Sequence, residues 1–472
     1  MYVCKTNAAT EECAMSDYIE GYLERARAAQ AEAEGWTQEC ADRMTEAVAR
    51  AVYDNAEELA RLAVDETGMG VYEDKVAKNR YKARVILADL ADKKSVGVIA
   101  RHPETGITKL AKPVGVVAAI TPVTNPIVTP MSNAMFALKG RNAIIITPHH
   151  RAVRSSGRTV ELINRNLKAA GAPENIVQMI GEHSRENTRE LISSADVVIA
   201  TGGMGMVRAA YSSGRPALGV GAGNVQCIID ADVDINVVVP MTVAGRAFDN
   251  GIICTAEQSI LFPAEKEGEV ITALERSGAV VLPRVASANA AAALRDALFT
   301  DEGMNRHLVG QSALAVAEAA GLASLGVNVL ADAKVIAVFA AGPGAKDKLS
   351  GEKMCPVISL YPYDTFEEAV AIAKANLEYE GKGHSVSIHS KNKAHVEYAG
   401  LALPVSRVLV NQTSSTNAGG SEYNGLAGTN TLGCGSWGGN SISENLTYKH
   451  LINISRIAER LPESRFPNSV LK

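Results

Sequence analysis

The sequence lacks paired-cysteine motifs and the cysteine and histidine spacings that hold a metal ion. Its seven cysteines are odd in number and widely spread along the chain: Cys4, Cys13, Cys40, Cys227, Cys254, Cys355 and Cys434. Such a set excludes a disulfide framework and favours free thiols in a reducing cytoplasm. We therefore expect no metal site. A reactive thiol must be recognised from its own surroundings, because most free cysteines are small buried apolar residues.

Long apolar runs and an excess of positive charge are also absent. No stretch approaches the roughly 20 apolar residues that span a bilayer. The net charge of −5 and the isoelectric point near 6.1 argue against nucleic acid or an anionic membrane as a partner. Residues 1–16 contain Lys5, Glu11 and Glu12 but no apolar core, so we predict a flexible tail and no secretion signal. We therefore expect the partners of this protein to be small molecules.

The 472 residues are too many for one hydrophobic core, and the pattern of the chain predicts two lobes. An amphipathic helical region reaches about residue 90, and a hairpin is predicted at residues 95–111. Four apolar runs then alternate with helical segments: Gly115–Ile120, Ala143–Ile146, Ile176–Ile180 and Val197–Ala200. Continuous apolar strands alternating with helices indicate a parallel sheet covered on both faces. Residues 17–229 are therefore predicted to form one doubly wound α/β domain.

A second series of strands and helices starts near Asp230. Residues 230–410 predict another α/β lobe, with apolar strands at four positions: Ser259–Phe262, Val280–Leu282, Val335–Val338 and Pro356–Leu360. The remaining segment, 411–472, begins with a stretch rich in glycine, asparagine and serine that also contains Leu432 and Trp437. We interpret this stretch as an ordered, loop-rich surface.

Cys254 has neighbours that favour a loop. Asn250 and Gly251, just before it, both tolerate positive φ, so we place Cys254 on or beside a turn. A thiol attacks carbon as the thiolate, which requires partial exposure and a favourable local field. On these residues alone, a buried structural thiol remains the alternative.

Two further segments follow predicted strands, at the sheet edge where ligands bind in open α/β folds. In Ile120–Pro126, the Asn125 amide is suited to stabilise a developing oxyanion, and a proline-bounded turn capped by asparagine is the alternative. In Ala200–Gly205, glycines before the helical run Met206–Tyr211 let the backbone approach a phosphate. The spacing is not GxGxxG, so a plain turn is the alternative there, and the same two interpretations hold for Gly219–Asn224.

Together these segments resemble, in order and spacing, the signature blocks of the aldehyde dehydrogenase superfamily. The resemblance covers nearly the whole chain after about Ser16, through six segments: Ile120–Pro126, Thr147–Arg151, Thr201–Gly203, Gly219–Asn224, Asn250–Cys254 and Glu352–Val357. Asp249–Ser259 and Thr431–Trp437 resemble the CoA-acylating branch. Three further segments resemble the succinate semialdehyde dehydrogenases of that branch: Asp65–Glu73, Ala210–Pro216 and Asn440–Asn445. The resemblance implies a cofactor lobe (17–229), a catalytic lobe (230–410) and a small β oligomerisation element.

The resemblance also implies a role for each matching residue. Cys254 attacks the aldehyde carbon, and the Asn125 amide and the Cys254 backbone N–H form the oxyanion hole. Coenzyme A is the acyl acceptor. The residues implied to contact NAD or NADP are Thr121, Pro122, Thr147, Thr201, Gly202, Gly203, Gly221 and Glu352, the last through the nicotinamide ribose.

One departure from the family concerns water. Hydrolytic members carry a glutamate at the position of Gly219, and glycine cannot act as a general base. The thioester on Cys254 is therefore expected to wait for a thiol, which needs less activation than water because part of it is already thiolate at neutral pH.

A second departure lies at the cofactor. Thr147 stands where many relatives place a lysine that holds the adenine ribose, and His149, His150 and Arg151 follow it. Their positive potential suits the 2′-phosphate of NADP or the 3′-phosphate of CoA. Exposed polar loop residues are the alternative interpretation.

The substrate pocket has several candidate residues. Arg246 lies on the helical run before the Cys254 turn, where it is suited either to bind a carboxylate or sulfonate bidentately or to form a structural salt bridge. Ser259, Arg407 and the loop Asn411–Asn417 are further candidates for the acyl pocket. His384 is also considered, although a lone histidine is more often structural.

We therefore predict a reversible cytoplasmic enzyme that interconverts an aldehyde, CoA and NAD(P)⁺ with an acyl-CoA and NAD(P)H. Succinate semialdehyde is the favoured aldehyde, followed by sulfoacetaldehyde and then by small neutral aldehydes. The alternatives are a hydrolytic aldehyde dehydrogenase and a catalytically silent structural homologue. By the resemblance, the glycine-rich stretch and the hairpin near Pro103 pair between the subunits of a homodimer or a dimer of dimers.

Overall fold

The computed structural model describes residues 16–182, 184–284, 288–301 and 303–466. The flexible tail predicted for residues 1–16 lies outside the described residues, apart from Ser16. The end of the predicted 411–472 segment, beyond residue 466, lies outside them too. In the described ranges, no helix is both long enough and apolar enough to cross a membrane.

The predicted helical region at the start of the chain consists of four helices: α1 Asp17–Ala33, α2 Gln38–Asp54, α3 Ala56–Thr67 and α4 Tyr72–Leu90. Thr37 caps α2 by accepting a hydrogen bond from the Cys40 amide at 3.2 Å. Gly68, at φ 66°, ends α3 in the left-handed conformation that glycine adopts readily. Helix α4 differs from the others because it buries two lysines, Lys75 and Lys78, along with its apolar residues.

The predicted hairpin is present and forms part of a three-stranded antiparallel sheet. Its strands are β1 Gly97–His102 and β2 Ile107–Pro113, and the third strand comes from the far end of the chain, β17 Ile452–Ala458. Strand β17 pairs with β2 from Ile452 opposite Pro113 to Ala458 opposite Ile107. The last segment of the chain therefore returns to the hairpin, an arrangement that the sequence alone did not predict.

The first lobe is a five-stranded parallel sheet in the order β5-β4-β3-β6-β7. Its elements are β3 Val116–Ile120, α5 Val128–Lys139, β4 Ala143–Thr147, α6 Val153–Ala170, β5 Val177–Met179, α7 Arg185–Ser194, β6 Val197–Thr201, α8 Met204–Tyr211 and β7 Ala217–Val220. All four predicted strands are present, and every residue of β3 and β4 is buried. The strand order reverses between β3 and β6, so the carboxyl ends of these two strands flank a crevice.

The second lobe is a seven-stranded parallel sheet in the order β10-β13-β14-β9-β8-β15-β16. Its elements are β8 Val225–Ile229, α9 Ile235–Ala247, β9 Glu257–Pro263, α10 Glu267–Arg276, β10 Ala279–Leu282, α11 Ala288–Leu298, β11 Phe299–Thr300, β12 Gly303–Met304, α12 Ala313–Ala319, β13 Val335–Phe339, β14 Val357–Tyr363, α13 Phe366–Tyr379, β15 Gly383–His389, α14 Lys393–Ala402 and β16 Val405–Val410, and a short helix, α15 Ser414–Asn417, follows them. Strands β11 and β12 form a small antiparallel ribbon apart from the main sheet.

The boundary between the lobes lies earlier than predicted. Strand β8, which we assigned to the first domain with its end at Ile229, lies between β9 and β15 in the second sheet. Apolar runs such as β8 indicate that a strand is buried on both faces but do not determine which sheet it joins. The fold class itself, two doubly wound α/β lobes with a small β element, is confirmed.

Candidate active site

The Cys254 loop, residues 248–256, connects α9 to β9. Asp249, Asn250 and Gly251 all have positive φ, at 52°, 54° and 68°. These residue types tolerate the left-handed region, so three in succession turn the chain sharply. Asn250 Nδ2 also donates a hydrogen bond to the Gly310 carbonyl at 3.0 Å. Cys254 follows in a turn of its own just before β9, which confirms its predicted location beside a turn.

Asp249 is fully buried and anchors the Cys254 loop to the start of α4. Its Oδ1 accepts a hydrogen bond from the Val71 amide at 2.9 Å. Its Oδ2 accepts bonds from Lys75 Nζ at 3.1 Å and Lys78 Nζ at 2.5 Å. The Asp249 amide in turn donates to Asp74 Oδ2 at 2.7 Å. A buried carboxylate is stable only when it is paired and hydrogen-bonded, and α4 supplies both kinds of partner.

Asn125 lies in the loop between β3 and α5, and Lys78 connects it to the Cys254 loop. Asn125 Oδ1 accepts a hydrogen bond from Lys78 Nζ at 2.9 Å. The same ammonium group binds Asp249, so a single side chain contacts both segments. The structure thereby associates the two segments that carry the residues predicted to be catalytic. The donation from Asn125 to an oxyanion stays a prediction.

The Gly219–Asn224 segment lies directly against the Cys254 backbone. A Cβ at Gly223 would be 1.9 Å from the Cys254 carbonyl oxygen and 3.1 Å from its Cβ. Such an approach requires glycine, because no other residue lacks a Cβ. The Gly223 backbone also faces the Glu352 carboxyl group and acts to lower its pKa. Cys254 and Glu352, distant in sequence, therefore meet at Gly223.

Cys254 is half-buried as a residue, and its sulfur lies deep enough in the protein for desolvation to oppose its ionisation. Burial raises the pKa of Cys254 to about 12, and the negative charge of Glu352 acts in the same direction. The positive charge of Arg407 lowers the pKa but does not compensate. Burial, followed by repulsion from Glu380, raises the pKa of Glu352 itself to about 8. In this state burial therefore favours the protonated forms of both Cys254 and Glu352.

Three lysines on one face of α4 contribute to the site and were not predicted. Lys75, Lys78 and Lys82 are spaced i, i+3 and i+7, which aligns them on a helix. Lys82 Nζ donates to the carbonyls of Gly419 and Thr429, at 3.1 and 3.3 Å. Burial lowers the pKa of Lys82 to about 8, and attraction to the Cys254 thiolate opposes that shift. The spacing was visible in the sequence, but lysines on a helix usually face solvent.

Arg246 is fully buried near the end of α9. Its Nη2 donates to the carbonyl oxygens of Lys353 and Cys355. Its Nε and Nη1 have no hydrogen-bond partner within the ranges that the structure describes. Burial lowers the pKa of Arg246 to about 10. Arg246 Nη2 therefore holds the backbone beside Glu352. Its contacts to the described residues are neither the salt bridge nor the substrate contact that were the two predicted alternatives.

Arg407, on β16, joins three parts of the second lobe. It donates to four oxygens: Ser385 Oγ at 3.2 Å, Asn445 Oδ1 at 3.1 Å, the His384 carbonyl at 2.9 Å and the Gly433 carbonyl at 2.8 Å. With its guanidinium donors engaged in this way, Arg407 is not available for bidentate binding of a substrate carboxylate. It influences Cys254 through its charge and through the loop that it holds.

Ser259 and His384 are fully buried. Ser259 is on β9, in register with Ser359 of β14, and its hydroxyl has no hydrogen-bond partner among the described residues. His384 Nδ1 lies 3.0 Å from Ser385 Oγ, and burial lowers the pKa of His384 to about 3. Both side chains belong to the interior of the second sheet, and a contact of Ser259 with the acyl chain stays a prediction.

The carboxyl ends of β3 and β6 form the edge where cofactor contacts are predicted. Thr121 is buried, and its hydroxyl has no hydrogen-bond partner in the described part of the chain. Thr201 Oγ1 lies 3.1 Å from Thr431 Oγ1. A Cβ at Gly202 or Gly203, just before α8, would meet no atom within 4 Å. Open space at the N-terminus of α8 fits a dinucleotide phosphate, and the unpaired Thr121 hydroxyl follows the neighbouring strand β3.

The remaining predicted cofactor residues have different surroundings. Thr147 ends β4, is buried, and has its hydroxyl 3.4 Å from Thr188 Oγ1. Its side chain therefore faces the interior. Threonine is also shorter than the lysine that many relatives are expected to have at this position. Pro122 is half-buried next to Thr121. At Gly221 a Cβ would have ordinary contact distances, the shortest 3.7 Å to Met204 Sδ, so that position does not require glycine.

The histidines after β4 contribute less charge than predicted. His149 stacks on His150 with ring centroids 4.2 Å apart. Burial, together with the charges of His150, Arg151 and Arg306, lowers the pKa of His149 to about 4. His149 therefore contributes little positive potential at neutral pH, and a contact of His149 with a phosphate stays a prediction. Arg151 supplies charge as predicted, and Arg306, from the second lobe, adds charge that the sequence did not reveal.

Comparison with known proteins gives a consistent result. Residues 3–451 match the aldehyde dehydrogenase family. The chain is 52% identical over 450 residues to the acetylating succinate-semialdehyde dehydrogenase of Clostridium kluyveri, with 95% of this chain and 97% of that protein covered. It is 39% identical to the acylating sulfoacetaldehyde dehydrogenase of Cupriavidus necator, with 95% and 90% covered. The chain belongs to the aldehyde dehydrogenase family.

Solved structures of this family are similar over nearly the whole chain. The acetylating aldehyde dehydrogenase of Geobacillus thermoglucosidasius has a TM-score of 0.90 at 34% identity, covering 95% of this chain and 98% of that one. Propionaldehyde dehydrogenase of Rhodopseudomonas palustris, solved with bound CoA and an acylated cysteine, has a TM-score of 0.81 at 27% identity, covering 94% and 98%. The predicted family is confirmed.

Gly219 stands where the resemblance implies a glutamate in hydrolytic members of the family. On β7, a Cβ at Gly219 would be 2.7 Å from Val207 Cγ1 and 2.8 Å from Tyr211 Cε2. The Gly219 amide also donates to the Tyr211 hydroxyl at 2.9 Å. A glutamate at this position would therefore need α8 to move.

Proposed function

We propose that this chain is a CoA-acylating aldehyde dehydrogenase that reversibly converts succinate semialdehyde, CoA and NAD(P)⁺ to succinyl-CoA and NAD(P)H. The observation that carries the proposal is the surroundings of Cys254. Cys254 lies against Gly223, its loop is tied through Lys78 to Asn125, and position 219 has neither a carboxylate nor space for one. The 52% identity to the Clostridium kluyveri enzyme supports the same reaction.

The chemistry follows from the proposed roles of these residues. Cys254 Sγ, once ionised, forms a bond to the aldehyde carbon, and the carbonyl electron pair moves to oxygen. The Asn125 amide and the Cys254 N–H stabilise that oxyanion, an effect that is worth about 10²–10³ in rate for one donor. When bound, NAD(P)⁺ accepts the hydride, which leaves a thioester on Cys254. The CoA thiolate then takes the acyl group, and Cys254 is released.

The cofactor proposal is supported at the β3 and β6 edge. The unpaired Thr121 hydroxyl and the open space at Gly202 and Gly203 would accommodate the nicotinamide and pyrophosphate portions. Glu352 would hold the nicotinamide ribose. Arg151, with Arg306, would supply positive charge for a phosphate on the adenosine end.

A substrate panel with both cofactors tests the proposal. Wild-type enzyme is expected to form NAD(P)H from succinate semialdehyde only when CoA is present, with thioester as the product. Cys254→Ser is expected to remove the activity, while Cys40→Ser, a partly exposed thiol on α2, is expected to keep it. Equal rates with and without CoA would instead identify a hydrolytic enzyme. Higher kcat/KM with sulfoacetaldehyde would replace only the substrate assignment.

A cytoplasmic homodimer or dimer of dimers completes the proposal. Five described cysteines, among them Cys227 and Cys434, are free thiols, which supports a reducing compartment. The β1-β2-β17 sheet has edge strands on both sides and bears the half-exposed Ile457, which supports pairing between subunits. Light scattering should give a mass of two or four chains, and a monomer would overturn this part.

A further inference from the structure

Lys78 holds together two segments that belong to different lobes. Its Nζ donates to Asn125 Oδ1, after the first-lobe strand β3, at 2.9 Å. It also donates to Asp249 Oδ2, in the loop that leads to Cys254, at 2.5 Å. The side chain is 8% exposed, so solvent screens these contacts weakly. Lys78 is the only described residue for which hydrogen bonds to both Asn125 and Asp249 are found.

The contact determines which end of the Asn125 amide is free. A lysine ammonium has three donors and no acceptor, so it can face only the oxygen of an amide. The Nδ2 group must then lie on the side away from Lys78, where it makes a single long hydrogen bond to the described residues, 3.4 Å to Thr124 Oγ1. Rotation of the amide by half a turn would set its NH₂ group against the ammonium group. Lys78 therefore selects the rotamer in which Asn125 can donate to an oxyanion.

The charge of Lys78 also acts on the strength of that donor. A cation at the oxygen of an amide polarises the group and makes its N–H a better donor. Asp249 balances the charge, and it is held in turn by Lys75 and the Val71 amide. The position of the ammonium group is therefore determined by α4 and by the loop that carries Cys254.

We propose that Lys78 is a positioning residue for the reaction, which orients the Asn125 amide and sets its location relative to Cys254. The inference rests on the proposed function, in which Asn125 stabilises the thiohemiacetal oxyanion. A misplacement of about 1 Å in such a site lowers the rate by about 10²-fold. Loss of Lys78 should consequently lower kcat by about 10²-fold and change KM little, since Lys78 acts on the transition state through Asn125.

A double-mutant cycle provides the test, with kcat as the readout. Lys78→Met and Asn125→Ala are each expected to reduce kcat by about 10²-fold or more. The double variant should be no slower than Asn125→Ala by more than about threefold, because Lys78 has no amide left to orient. Losses that multiply would overturn the proposal, since a purely structural lysine acts independently of Asn125.

Lys75→Met is the matched control. Lys75 is also buried and binds the same Asp249 oxygen, but among the described residues it makes no hydrogen bond to Asn125. Its loss should lower the thermal midpoint as much as Lys78→Met does while lowering kcat less than tenfold. Equal losses of kcat in the two variants would contradict the proposal. If Lys78→Met does not fold, the same cycle is run with Lys78→Gln, for which the same non-additivity is expected.

The outcome is separable from that of the proposed function. If the wild-type enzyme shows no CoA-dependent oxidation of any aldehyde in the panel, the proposed function fails before the cycle begins. If wild type is active and the losses of Lys78→Met and Asn125→Ala multiply, only the positioning role fails.

Discussion

Replacing Gly223 with alanine tests how closely the Gly219–Asn224 segment packs on the nucleophile. The new Cβ would lie 1.9 Å from the Cys254 carbonyl oxygen, whereas carbon–oxygen contacts in proteins are normally at least about 3.3 Å. The backbone of one segment must therefore shift by about 1.4 Å, and both segments belong to the site. A displacement of this size lowers the rate by about 10²-fold, or about 2.7 kcal/mol in the barrier.

The assay is CoA-dependent NAD(P)H formation, with the thermal midpoint measured on the same samples. Gly400→Ala is the control, because Gly400 is exposed on α14 and a Cβ there would meet no atom within 4 Å. That change should leave kcat/KM unaltered and stabilise the helix by up to about 1 kcal/mol. A folded Gly223→Ala enzyme with kcat/KM within about threefold of wild type would refute the close packing described for Cys254.

Three further predictions follow from the electrostatics and packing. Alkylation of Cys254 by iodoacetamide in the ligand-free enzyme should rise with pH without saturating below the pKa of about 12, and Arg407→Met should slow it at each pH. Gly219→Glu should not permit turnover without CoA and should lower the thermal midpoint, because α8 blocks the new side chain. Burial raises the pKa of Glu257 to about 7, so the folded state binds its proton more tightly than the unfolded state does. Glu257 should thus lower the unfolding free energy by about 3 kcal/mol as pH rises from about 4.5 to about 7, and Glu257→Gln should remove that contribution in urea titrations.

Most of the fold could be predicted because strands and helices alternate with a clear pattern. Runs such as Ala143–Ile146 are apolar at every position, which indicates strands buried on both faces, and every residue of β4 is buried. Strand β8 was assigned to the wrong lobe, since its own residues do not specify its neighbours. The pairing of β17 with β2 joins residues more than 300 positions apart and has no local signal.

The site was predictable where it depends on local turns and not where it depends on distant partners. The Asn250–Gly251 pair indicated the Cys254 turn because both residues accept positive φ. Arg246 was a candidate substrate anchor because arginine suits carboxylates, and Arg407 was a candidate for the acyl pocket. In the structure both donate to backbone carbonyls that are distant in sequence. Lys78 was missed because its acceptors, such as Asp249, lie far along the chain.

A single-turnover experiment without CoA tests the central claim, that the thioester on Cys254 is passed to CoA and not to water. Enzyme mixed with succinate semialdehyde and NAD(P)⁺ should form one equivalent of NAD(P)H per active cysteine and then stop. Intact mass and peptide mapping should place a succinyl group on Cys254, and added CoA should release it as succinyl-CoA. Continuous NAD(P)H formation with free succinate, or an acyl group on another cysteine, would contradict the account.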